Sequence, residues 1–427
     1  MKKKLIALLI AVAMLASLLA ACAVPVESGE PDPAPVPEPP VTLPGDLTRP
    51  MPPVEGGNPD EAKAAIANFS QALFREVMAL GEENPVISPL SAYYALAMVA
   101  LGARGETRAE FEALLGRNPE ALARDLYTLT RQLMDNVGST QINIAGSVWV
   151  YDDVTIDPDF AQAMAQYFDA LAESRDFRAQ ATVDEINAWV AARTEGLIEE
   201  LIQEIGEDEV MLLINTLYFS AKWAEAFNPM TEVSGTFYPE NGVALEVPFL
   251  SASRQPFAVS VTDTYEAIML PYDDDRLGFL LVRPTDGRTI RDFVAAHDLG
   301  EIIAGLAVHD DVQVRMPKLD LEFEVSLDEL LQSLGLRLAF GADGNPDLSG
   351  LLVRSEEDLP LRISRVLQKV RLLVDEEGTE AAAATVIGIE PMSLPLVTLT
   401  FNTPYLYAIY DLETGIPLFM GVLDNPA

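Results

Sequence analysis

A single cysteine in 427 residues, Cys22, means the chain can form no internal disulfide. Histidine is almost as scarce, at His297 and His309, and both sit in charged contexts that read as exposed. No Ser-His-Asp constellation is apparent, and a metal site would lack nitrogen and sulfur ligands, so no cofactor is expected. Basic residues are few: 28 Lys and Arg against 66 Asp and Glu give a formal charge of -38. Nucleic acid would be repelled by most of such a surface. The acidity reads first as solubility or a saline or acidic habitat, and second as steering toward a basic partner. The turn Gly341-Ala342-Asp343-Gly344-Asn345 lacks the lysine and following helix of a phosphate loop. Asp273-Asp274-Asp275 reads as a solvated turn, with calcium the lesser alternative. No internal repeat is evident.

The N-terminus carries a processing signal. Lys2, Lys3 and Lys4 precede an apolar run from Leu5 to Leu19, then Leu19-Ala20-Ala21-Cys22. That tetrad resembles a bacterial lipobox, which would make residues 1–21 a lipoprotein signal peptide and Cys22 the site of lipid attachment. An ordinary secretory signal with an incidental cysteine is the alternative; a retained transmembrane anchor fits less well because the run is short. Residues 22–59 are rich in Pro, Glu, Gly and Asp and read as a flexible, partly polyproline spacer. The expectation is an exported, membrane-anchored protein with its body at residues 60–427, outside the cell or on its surface.

Periodicity in the body predicts helices first and strands later. Helices are expected over Asp60–Ala79 (Ala65, Phe69 and Leu73 on its stripe), Ser88–Ala103, Thr107–Leu115, Pro119–Asn136, Pro158–Phe168 and Thr182–Leu201. Strands are expected over Gln141–Tyr151, Val210–Phe219 and a series beyond Phe227 that includes Val243–Leu250 and Phe257–Val261. Three short helices fit Ile290–Ala296, Leu299–Leu306 and Ser326–Leu334. Without regular βα alternation, the fold class is α+β with large antiparallel or mixed sheets.

The segment Asp375–Ser393 is the most informative. From Thr379 to Ile389 the odd positions are Thr, Ala, Ala, Thr, Ile and Ile, while Glu380 and Glu390 occupy even ones. That is the period-two pattern of a strand with one buried face, written into what reads as a loop. Gly378, the four-alanine run and Pro391 give it little tendency to form a strand early. It could pass in and out of a sheet without steric or charge penalty.

Blocks spread across the body resemble the serpin family. They are Asn68-Phe69-Ser70, Asn84 to Ser91, Gly102 to Thr107, Asn215 to Phe219 with Lys222-Trp223 and Phe227, Met316 to Leu319, Asp347 to Gly350, Val374 to Ala382, and Phe401-Asn402 with Pro404-Tyr405 and Pro417 to Gly421. The resemblance covers about residues 64–426. It implies the serpin fold, with helices packed on large sheets and an exposed reactive loop at about 376–396. It also implies a monomer that is no enzyme but an irreversible suicide-substrate inhibitor. A serine protease attacks the loop, forms an acyl-enzyme, and is trapped as the cleaved loop inserts into the central sheet.

Family spacing places the hinge at Glu376, Gly378, Thr379, Glu380, Ala381, Ala382, Ala383 and Ala384, and the reactive bond at Met392–Ser393. A shifted register would select Glu390 instead. Methionine at the bond suits chymotrypsin-, elastase- or subtilisin-like targets. Ser88, Ser91 and Asn215 resemble the polar cluster holding the sheet shut, and Gln368 stands where the family usually has histidine. Trp223 resembles the tryptophan where the loop enters the sheet, with Lys318 able to pair with Glu376. From the residues alone, Ser88 reads equally as a helix cap and Trp223 as core. The alternatives are a serpin-fold binding or scaffold protein that does not inhibit and, outside the family, a solute-binding lipoprotein, which the helix-then-strand order disfavours.

Overall fold

The computed structural model describes residues 57–135, 138–227, 233–353, 361–379 and 397–426. Cys22 with the signal and most of the spacer, Glu380 to Ala384, and Met392–Ser393 lie outside the described residues. The first part of the body runs α1 (Pro59–Ala79), β1 (Val86–Ile87), α2 (Pro89–Ala100), α3 (Gly105–Leu115), α4 (Pro119–Leu133), β2 (Gln141–Tyr151), α5 (Pro158–Phe168), β3 (Leu171–Arg175), α6 (Gln180–Arg193) and β4 (Met211–Lys222). The second runs β5 (Val233–Phe237), β6 (Leu245–Val261), β7 (Tyr265–Pro271), β8 (Leu277–Pro284), α7 (Ile290–Ala296), α8 (Leu299–Ala304), β9 (Ala307–Pro317), β10 (Leu319–Ser326) and α9 (Asp328–Ser333). It ends with β11 (Arg365–Val374), β12 (Gly378–Thr379), β13 (Val397–Thr400), β14 (Tyr405–Asp411) and β15 (Ile416–Leu423). The fold is α+β.

Two sheets carry the core. The larger orders its strands β1-β15-β14-β8-β7-β6-β9-β13, with β5 added to β6; the smaller is β10-β11-β12-β4-β2-β3. The smaller is mixed, because β3 runs parallel to β2 and β11 parallel to β4. The sheets meet face to face through aromatic rings, Phe219 of β4 lying 6.4 Å from Phe419 of β15 and 5.3 Å from Tyr272. Between the helices, α2 is buried along its whole length, as its run of Leu, Tyr, Ala, Met and Val requires. It starts where Ser88 caps it, the hydroxyl accepting from Ser91 N at 3.3 Å with Pro89 in the first turn.

Departures from expectation have local causes. The buried stripe of α1 runs through Ala62, Ile66, Phe69, Leu73 and Val77, leaving Ala65 half-buried. Helix α6 stops at Arg193 rather than Leu201, since Glu195 and Gly196 take left-handed φ values of 52° and 81°. The two strands expected at Val243–Leu250 and Phe257–Val261 are one strand, β6, whose register with β9 shifts between Ala252 and Phe257. Pro256 interrupts the ladder there because it has no N–H to give. Strand β10 was missed beside a proline-lysine pair, although Leu319 to Ser326 alternates cleanly. His297 is not exposed: it is half-buried, with its ring stacked 4.0 Å from Phe293.

Asp411 is fully buried, and Arg276 grips its carboxylate at 2.6 Å and 3.0 Å. Replacing Arg276 with Ala would leave that charge without its cation. Equilibrium denaturation should show a loss of roughly 3 kcal/mol or more.

Candidate functional site: an interrupted central sheet

The smaller sheet is zipped unevenly. Strands β4 and β11 pair over Arg365↔Leu212, Val366↔Leu213 and Leu367↔Ile214, and their pairing stops there. At the other end β12 lies between them, pairing Thr379 with Val374 of β11 and Gly378 and Thr379 with Lys222 and Ala221 of β4. Between these ends β11 remains zipped to β10 and β4 to β2. The two strands therefore part into a slot that is one strand wide where β12 lies, with two residues of a strand in place there.

The upper end is built from a tight reversal. The Asp375 carboxylate accepts from Glu377 N at 2.8 Å and Gly378 N at 3.2 Å, and Asp375 N donates to Gly378 O at 2.9 Å. Trp223 N and Phe227 N donate to the carbonyls of Glu377 and Glu376 at 2.8 Å and 2.7 Å. The Trp223 indole N–H donates to Asp375 O at 2.9 Å, and the ring stacks on Tyr272 at 4.8 Å and 8°. Lys318 Nζ lies 2.7 Å from the Glu376 carboxylate. Gly378 is required by close approach: a Cβ there would stand 2.1 Å from Ala221 O. Thr379 is 1% exposed, its hydroxyl 2.7 Å from the Tyr272 hydroxyl. Burial pushes the Tyr272 phenol well above its usual pKa, opposed only in part by the Thr379 hydrogen bond, so it stays protonated.

This corrects the sequence reading of the hinge. Gly378 and Thr379 were expected within an exposed loop beginning near 376, whereas both are buried strand residues. They fit because Gly378 has no side chain to clash with β4 and Thr379 is small and has a hydroxyl partner.

At the middle of the slot Ser88, Ser91, Asn215 and Gln368 come together in two linked pairs. Gln368 of β11 makes a reciprocal pair with the Ser88 backbone: its Oε1 accepts from Ser88 N and its Nε2 donates to Ser88 O, both at 2.8 Å. Asn215 of β4 instead accepts from the Ser91 hydroxyl. The two pairs join through the Ser88 cap on Ser91 N. The strands are thus tethered to the start of α2 from either side. Asn215 Nδ2 is buried without a partner among the described residues. Ser88 serves both as helix cap and in the network; Trp223 is 4% exposed and also bonds the hinge.

Sequence reasoning missed Tyr272, because an aromatic residue closing an apolar strand looks like ordinary core. The neighbouring acidic run is structural: Asp273 accepts from Ser139, and Asp274 from Thr140, Arg276 and Leu277. Among the described residues no acidic or histidine group could hold a metal, and no helix is long and apolar enough to cross a membrane.

The body is thus built on two sheets, the smaller of which has a strand position that Gly378 and Thr379 occupy between β11 and β4. A profile of the family described as Serpin (serine protease inhibitor) matches residues 64–426. An uncharacterized serpin-like protein of Thermococcus kodakarensis is 29% identical, covering 85% of this chain and 85% of its own. Alpha-1-antiproteinase of Rattus norvegicus is 29% identical, covering 84% of this chain and 88% of its own. The native state of tengpin, a thermophilic serpin, superposes with a TM-score of 0.80 at 30% identity, covering 88% of this chain and 98% of that one. The chain belongs to the serpin family, whose members are generally protease inhibitors rather than catalysts.

Gln368→Ala would leave the buried Ser88 N–H without an acceptor. Chemical denaturation of the intact protein should show a loss of about 1–3 kcal/mol. Stability equal to that of the parent would remove Gln368 from the tethering role.

Proposed function

We propose that this serpin is an irreversible suicide-substrate inhibitor of chymotrypsin-, elastase- or subtilisin-like serine endopeptidases, with Met392–Ser393 as the bait bond. The observation that carries this reading is the register of β12. Thr379 pairs with Val374 on one side and Ala221 on the other. Continuing both ladders would bring Thr385 level with Gln368 and Asn215 at once, so the two flanks agree on one register. Thr379 faces the core, so Ala381, Ala383, Thr385, Ile387 and Ile389 would follow it inward, and Glu380 and Glu390 would face out. A strand that fills the slot with small and apolar groups and keeps its carboxylates wet supports insertion over mere binding.

The hydroxyl of an inserted Thr385 would also offer the Asn215 amide an acceptor that it lacks among the described residues. Glu380 to Ala384 form the rest of the hinge in this reading. The N-terminal pattern supports export, with a lipid on Cys22 tethering the monomeric body to a membrane. Mass spectrometry of the mature N-terminus tests that part: an unmodified Cys22, or a chain cleaved elsewhere, removes the anchor.

The inhibitory reading is tested by mixing the protein with chymotrypsin, elastase and subtilisin. An SDS-stable adduct with at least one of them is expected; clean cleavage without adduct would overturn the proposal in favour of a non-inhibitory serpin. Thr379→Arg places a charge in the buried pocket beside Tyr272. It should turn the inhibitor toward substrate behaviour, raising the number of inhibitor molecules consumed per protease by roughly tenfold or more. Peroxide oxidation of Met392 makes that side chain polar and should slow trapping. Unchanged kinetics after oxidation would take Met392 out of the bait position.

A further inference from the structure

We infer that Tyr272 is a positioning residue for loop insertion, whose hydroxyl holds Thr379 in the slot before any protease arrives. The inference rests on the inhibitory reading above for its functional meaning, but the contact itself stands on the geometry of the intact protein.

Tyr272 directly succeeds β7 in the chain and is 0% exposed. Its ring is fixed on two sides, face to face against Trp223 at 4.8 Å and edge-on to Phe219 at 5.3 Å. Its backbone is fixed too, with Tyr272 N donating to Leu277 O at 3.1 Å and an isolated bridge joining it to Trp223. A phenol so restrained can move little, so its hydroxyl marks a fixed point at the top of the slot. Thr379 is the hydrogen-bond partner at that point, and it is the last residue of β12. A buried hydroxyl left unpaired is costly, so the pair favours the state in which Thr379 is inside the sheet.

The consequence is kinetic. Insertion competes with hydrolysis of the acyl-enzyme, and a strand whose first two residues are docked does not have to nucleate from a free loop. Removing the phenol oxygen while keeping the ring should therefore leave attack on the bait bond alone and slow only the insertion step. Tyr272→Phe preserves both ring contacts. Thr379→Val removes the hydroxyl from the other side, and Thr379→Ser restores it.

Two measurements test this. Amide hydrogen exchange of Gly378 and Thr379 in the intact protein should accelerate about fivefold in Tyr272→Phe, the scale of one lost hydrogen bond. The stoichiometry of inhibition should rise in both Tyr272→Phe and Thr379→Val, with the rate of bait-bond attack unchanged. The double variant should be no worse than either single one, and Thr379→Ser should behave as the parent. Parental exchange and stoichiometry in Tyr272→Phe would overturn the inference, as would fully additive losses in the double variant. If the parent protein forms no adduct yet the exchange effect is present, the contact stands and the inhibitory reading fails instead.

Discussion

The structure depends on the pairing that β4 and β11 do not complete. They are zipped for three residue pairs at one end, Arg365↔Leu212 to Leu367↔Ile214, and are spanned by β12 at the other. Backbone amides and carbonyls in a sheet are obligatory hydrogen-bonding groups, and a central strand position that is only begun leaves much of that demand to be met later. A chain segment of suitable length and pattern would meet it.

The slot is framed by two sites of different chemistry. In the middle, amide side chains tie each flank to the start of α2, Gln368 through the Ser88 backbone and Asn215 through the Ser91 hydroxyl. At the top, aromatic stacking and a reversal capped by Asp375 hold β12 in place. The middle pairs are neutral and contain no histidine, so they have no group that titrates near neutral pH. Inserting a strand need not break the reciprocal Gln368–Ser88 pair, since that pair reaches toward α2 and not across the slot.

Much of this was legible in the residues. Proline after Ser88 and the apolar run through Ala100 each prescribe one local structure with little competition. The α+β class came from helix and strand order. The strand pattern did not reveal that Gly378 and Thr379 lie in the sheet, because that depends on a backbone approach so close that a Cβ on Gly378 would stand 2.1 Å from Ala221 O, and on Tyr272, a residue some hundred positions away. Nor did it reveal the division of the polar cluster into two pairs: residue types name possible donors and acceptors, while only the fold selects partners. Long strands were cut short in the same way. Exposed Ala307, Val308 and His309 show no alternation of apolar and polar residues, yet pair with β6 because their neighbours do.

The most direct test of the account is calorimetry of the intact chain against the same chain nicked within residues 385–396. If the slot is an unfilled strand position for the segment after Thr379, nicking frees that segment to enter it, and the melting temperature should rise by tens of degrees. A nicked form that melts at or below the intact one would mean that the sheet gains nothing from the segment, and the account would be wrong.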